Sequence, residues 1–177
     1  MKLILGLLMM SVMAHAAAAK TQHAESTKSF DLGDSTSVTL VERAFDPAHA
    51  RIETCGETHQ ICRINGGAPF GIDGDMPRTY LARLTLKVGR KTYDLDTRGM
   101  YDAWGDHPLE GKGTIRYMAA SCSDTAFCTL RGIFSDGGGT YVAEWQIRYG
   151  ISVRTILTDS NDIVNSFLEH LEPPVFD

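Results

Sequence analysis

No apolar run in the sequence is long enough to cross a bilayer as a helix. The longest, residues 3–13, covers about half of the ~20 residues that a span needs. Clustered basic charge is missing as well. The 17 Lys and Arg are scattered among 22 Asp and Glu, so the chain carries a net charge of −5 and lacks the cationic patch that nucleic acid or anionic lipid requires. There is no internal repeat, no low-complexity segment and no linker long enough to separate two domains. The specific catalytic patterns are absent too: no G-x-S-x-G elbow, no H-E-x-x-H, no P-loop and no G-x-G-x-x-G opening a helix. What remains is a 177-residue chain with 43% hydrophobic and 22% charged residues, close to globular averages and to the size of one domain.

The N-terminus has the pattern of a secretory signal peptide. Lys2 precedes the apolar run, and the small-residue stretch Ala14 to Ala19 offers A-x-A cleavage sites after Ala16 or Ala19. Residues 1–19 are therefore expected to be removed, leaving residues 20–177 as a single domain bound for the periplasm or the exterior. Lys2 is the only charged residue removed, so the mature net charge becomes −6.

Export gives the four cysteines their meaning. An even number in an oxidising compartment reads as two disulfides, and three pairings are possible. The spacing favours local pairs, Cys55 with Cys62 and Cys122 with Cys128, because each intervening segment looks like a turn between two strands. A four-thiolate zinc site normally has tighter C-x-x-C spacing, and no cofactor or metal is expected.

Alternating apolar residues mark the strands. Residues 29–32 and 37–41 read as a first pair across Gly33-Asp34-Ser35, preceded by a polar stretch, residues 20–27, expected to fray. Residues 51–55 and 62–64 form the first stapled hairpin. Residues 79–88 and 91–96 flank Gly89-Arg90, a two-residue type II′ turn that sets Val88 opposite Lys91, Leu86 opposite Tyr93 and Leu84 opposite Leu95. On the other face Arg83 is expected to meet Asp96. Residues 113–122, 128–134, 140–147 and 151–157 read as a four-strand meander. A three-residue loop, Arg148-Tyr149-Gly150, would put Ile147 opposite Ile151, Trp145 opposite Val153, and Glu144 beside Arg154. A helix over about residues 159–172 closes the chain, with Ile163, Val164, Phe167, Leu168 and Leu171 on one stripe and Pro173-Pro174 as its stop. The expected fold is α+β and β-rich: antiparallel hairpins forming a twisted sheet or sandwich, with the C-terminal helix packed on it.

Three places invite a functional reading. His59 sits in the Cys55 to Cys62 turn, where polar residues are ordinary. Gly71-Ile72-Asp73-Gly74-Asp75-Met76-Pro77 spaces its carboxylates like a calcium loop but lacks the bidentate Glu that would complete one, and reads as a turn entering a strand. The long segment 99–113 is the richest. It gathers Tyr101, Trp104, Asp106, His107 and Glu110, an aromatic anchor with charges that would set specificity, unless the aromatics cap the core. The functional expectation is an exported binding or inhibitory protein, of the immunity or inhibitor kind that blocks an exported hydrolase, with another exported or envelope protein as partner. The alternatives are a small envelope hydrolase using Asp106, His107 and Glu110 or the pair Asp73 and Asp75, and an accessory factor in envelope assembly.

Overall fold

The computed structural model describes residues 24–105 and 117–174, and every structural statement below concerns those residues. In chain order the strands are β1 (Glu25–Gly33), β2 (Thr36–Ala44), β3 (Ile52–Cys55), β4 (Gln60–Ile64), β5 (Thr79–Val88), β6 (Lys91–Leu95), β7 (Tyr117–Cys122), β8 (Cys128–Phe134), β9 (Tyr141–Arg148) and β10 (Ile151–Thr158). A single turn of 3-10 helix spans Pro47–His49, and helix α1 spans Asn161–Glu169.

All strand pairs are antiparallel. One sheet has the order β1-β2-β5-β6, the second the order β10-β9-β8-β7, and β3 pairs with β4 as a separate ribbon. The two larger sheets bury their alternating faces against each other. Val38, Leu40, Leu84, Leu86, Tyr93 and Leu95 from the first meet Leu130, Phe134, Tyr141, Ala143, Trp145 and Ile147 from the second in one continuous core. Each of the larger of those side chains removed from water contributes on the order of 1.5–3 kcal/mol, so this face-to-face layer supplies most of the fold's cohesion. The molecule is α+β and β-rich, and the sandwich is the form it takes.

Helix α1 covers the outer face of the second sheet. Val164 and Phe167 are buried against Ile133 and Val142, with Ile156 and Leu171 beside them. Its apolar stripe is narrower than its sequence predicts, because Ile163 and Leu168 remain exposed. Nine residues form too short a helix to persist without that docking.

Both disulfides join the expected local pairs. Cys122 and Cys128 stand directly opposite each other in the β7–β8 ladder, and Cys55–Cys62 ties the β3–β4 ribbon. With two disulfides, and no described helix long and apolar enough to cross a membrane, the chain is compatible with an exported protein.

The β5–β6 register follows the expected pairs from Val88 with Lys91 to Leu84 with Leu95, around a Gly89 at φ +59°. Asp96 lies beyond that ladder and bonds to Arg98 and Arg154 instead of Arg83.

Three expectations need correction. Strand β1 begins at Glu25, inside the stretch expected to fray. Backbone pairing of Glu25 with Arg43 and the 2.7 Å ion pair between them hold it, and neither leaves a hydrophobic signature. The β9–β10 connection is a two-residue turn with Tyr149 and Gly150 both at positive φ, so the register moves by one residue. Arg148 faces Ile151, Trp145 faces Arg154, and Ile151 and Val153 point to solvent. Glu144 therefore lies on the opposite face from Arg154 and takes Arg131 on β8 as its partner at 2.8 Å. An irregularity between Arg154 and Ile156 then changes the phase, which lets Leu157 return to the core side.

Candidate functional site

Two cavities of the described structure lie at the end of the sandwich that carries the β1–β2, β5–β6 and β7–β8 turns, and three lie at the other end. At that second end three connecting segments meet: residues 65–78 between β4 and β5, residues 96–105 after β6, and residues 135–140 between β8 and β9. Backbone bonds hold them to one another. Tyr101 N–H donates to the Phe70 carbonyl, Leu81 N–H to the Met100 carbonyl, and Ser135 N–H to the Ala103 carbonyl, at 2.9–3.0 Å.

Aspartates complete the interlock in a cycle. Asp73, on the first segment, lays its carboxylate against Gly138 on the third; a Cβ at Gly138 would fall 2.6 Å from both carboxylate oxygens. Asp136, on the third, lies against Gly105 on the second, where a Cβ would meet the carboxylate at 2.8 Å. Asp102, on the second, returns to the first and accepts from the backbone N–H of Arg78 (3.0 Å) and Thr79 (2.8 Å). Gly105 is favoured by its backbone φ of +73°, and a side chain added at 105 or 138 would displace the exposed aspartate that lies against it. At Gly71 the approach is tighter still: a Cβ would lie 2.0 Å from the Tyr101 carbonyl oxygen.

Between the three segments lies a cleft of about 220 Å³ lined by Asp73, Asp75, Met76, Arg78, Asp102 and Asp136. Asp73, Asp75 and Asp136 are exposed. Met76 is unusually open for its type, at 47%. Asp102 differs. Burial pushes its carboxyl above the usual range, against the lowering effect of the Thr79 and Arg78 contacts. The Thr79 hydroxyl donates to Glu42, which is fully buried, at 2.5 Å and lies 3.1 Å from Asp102. One hydroxyl proton thus stands between two carboxyl groups under the floor of the cleft. Beside it the Tyr141 hydroxyl is fully buried and finds no hydrogen-bond partner among the described residues. Burial, then the charges of Glu42 and Asp102, push its pKa well up.

The site residues named from sequence have different placements. Tyr101 and Trp104 are both buried, Trp104 within the main core at 3% exposure, so the aromatic pair plugs the end of the sandwich. Tyr101 meets Phe45 edge to face at 5.7 Å. Asp106, His107 and Glu110 lie outside the described residues. Asp73 and Asp75 do share one cleft, but among the described residues no group of three or more His, Cys, Asp or Glu is arranged to hold a metal ion. His59, at positive φ in the ribbon turn, is exposed and lines none of the cavities described here. The residues that sequence reasoning did not single out are Asp102, Asp136 and Met76. Asp136, beside Gly137, reads as an ordinary turn residue like Asp73 and Asp75 around Gly74, and Asp102, between Tyr101 and Ala103, has no local signal until the fold brings the segments together.

Compared with models of protein families, with curated proteins and with solved structures, the chain matches none.

Proposed function

We propose that this chain is an exported binding protein that inhibits another exported protein, most simply a hydrolase, through the loop end of the sandwich. The observation that carries the reading is the joining of three loops by backbone hydrogen bonds and by Asp102, with Asp73 and Asp136 lying against neighbouring glycines, around an exposed methionine with acidic neighbours. A preorganised surface of this kind loses little conformational freedom on binding. Its anatomy is that of a small interface: Met76 supplies adaptable apolar contact, and Asp73, Asp75 and Asp136 favour a basic surface on the partner and speed encounter. Export of the chain belongs to the same proposal and rests on the signal-peptide pattern and the two disulfides.

Mature protein immobilised on resin and exposed to an extract of exported proteins tests the reading. It expects a saturable partner whose enzymatic activity falls when the purified chain is added back. Capture without any change of activity in the partner would remove the inhibitory part. No specific capture under native conditions would remove the whole.

A second reading has one observation in its favour. Asp102, raised by burial, and the exposed Asp136 are carboxyls in unlike environments on one cleft, the pattern that separates a general acid from a general base or nucleophile. Hydrolytic activity of the purified chain that is lost in Asp102→Asn would establish it.

A further inference from the structure

The largest cavity at this end of the molecule belongs to neither reading. It holds about 610 Å³ under the β3–β4 ribbon, within the range of small-molecule sites. Ile64, Ala68, Phe70 and Leu157 give it apolar walls, and Arg98 and Arg154 stand on its lining with no acidic residue among the described residues that line it. We infer that this cavity binds a small amphipathic monoanion, a carboxylate carried on an aromatic or short aliphatic body.

Charge and shape support it separately. Both guanidinium groups share one carboxylate, Asp96, which sits outside the lining. Arg98 holds it through Nε and Nη2 at 2.9 Å each, and Arg154 Nη2 is 3.4 Å from the same group. Two cations on one anion leave one positive charge in excess beside the cavity. Arg98 Nη1 has no hydrogen-bond partner among the described residues and its side chain is 89% exposed, so it is available to a ligand carboxylate. Arg154 is fixed instead. Its side chain is 16% exposed and its Nη1 donates to the Asp96 and Arg98 carbonyls, at 3.4 and 2.6 Å, which holds a partly buried cation in place on the cavity's lining. Burial and the neighbouring Arg98 both lower the Arg154 pKa, opposed by Asp96, and a bound anion would relieve that cost. The apolar walls would take the ligand's body, and the arginines would select its sign.

The test is calorimetric titration of the full mature chain with 1-naphthoate, and in parallel with 1-naphthamide and 1-naphthylmethylammonium, which keep the ring and change the charge. Saturable one-site binding of naphthoate is expected, about tenfold tighter than the amide and weakening with added salt. Arg98→Gln should reduce naphthoate affinity about tenfold toward that of the amide while the melting temperature stays put, because that side chain is almost wholly in solvent. Ala68→Trp, which fills the cavity from an exposed position, should remove binding of naphthoate and amide alike. Equal affinity for naphthoate and naphthamide, an unchanged affinity in Arg98→Gln, or no saturation by any of the three probes would overturn the inference. Because the probes replace no protein partner, these outcomes are independent of whether the loop end inhibits anything.

Discussion

Glu144 is the most heavily committed carboxylate on the outer face. Arg131 donates to one oxygen at 2.8 Å, while Thr155 and Gln146 donate to the other at 2.8 and 3.0 Å. Arg131 also reaches the His170 carbonyl and stacks over Phe167, so the group pins the end of α1 to the sheet. Burial raises the Glu144 pKa, but the three donors outweigh it and the net shift is downward. A carboxyl lowered in the folded state stabilises above its unfolded pKa, and that contribution is lost as pH falls through the lowered value. Stability should therefore decline on acidification below the ordinary carboxylate range, and Glu144→Gln should flatten that limb in thermal melts. Glu144→Ala, which leaves Arg131 partly buried without its anion, should cost about 2–3 kcal/mol in denaturant unfolding, between the range for exposed pairs and that for fully buried ones. Asp102 has the opposite sign. Its raised pKa makes the ionised form a cost at neutral pH, so Asp102→Asn, which keeps an acceptor for Arg78 and Thr79, should hold or raise the melting temperature at pH 7.

At the level of elements, the β9–β10 hairpin shows what alternation does and does not carry. The strands themselves are legible in Tyr141–Ile147 and Ile151–Leu157, but the register depends on whether the turn has two or three residues. Both versions bury apolar side chains, so pattern alone does not choose. The two-residue turn prevails with Tyr149 at positive φ, a position usually taken by Asn or Gly. The β5–β6 turn, also of two residues but with Gly89 first, has one good register and adopts it. The disulfide in the β7–β8 ladder closes a short loop, so removing it by Cys122→Ala with Cys128→Ala should cost about 2 kcal/mol on the loop-entropy model. Tandem measurement of m-values would show whether the denatured state, rather than the hairpin, changed.

Across the whole molecule, the end of a sandwich must be closed, and here Trp104 and Tyr101 close it. In sequence they sit among Gly, Asp and charged residues, the company of an exposed loop. Only the meeting of the 65–78 and 96–105 segments with the 135–140 turn makes them interior. The same meeting creates the cleft, because Asp102 and Asp136 are more than thirty residues apart in the chain. Trp104→Ala should accordingly lower stability by about 3–5 kcal/mol, as for other large buried aromatics, which a melting curve decides. Gly105→Ala should break the interlock more locally, since the added methyl meets the Asp136 carboxylate at a backbone φ of +73°.

The most direct measurement of the proposed function is the affinity of the captured partner for the mature chain and for a folded Asp75→Lys, Met76→Ala double variant, with Lys87→Glu on an outer strand face as the control. Both residues at the cleft are exposed, so the fold should survive the change. The account predicts that the cleft variant weakens binding at least tenfold and slows association, while the control leaves both unchanged. Equal affinity of the cleft variant and the native chain would contradict it.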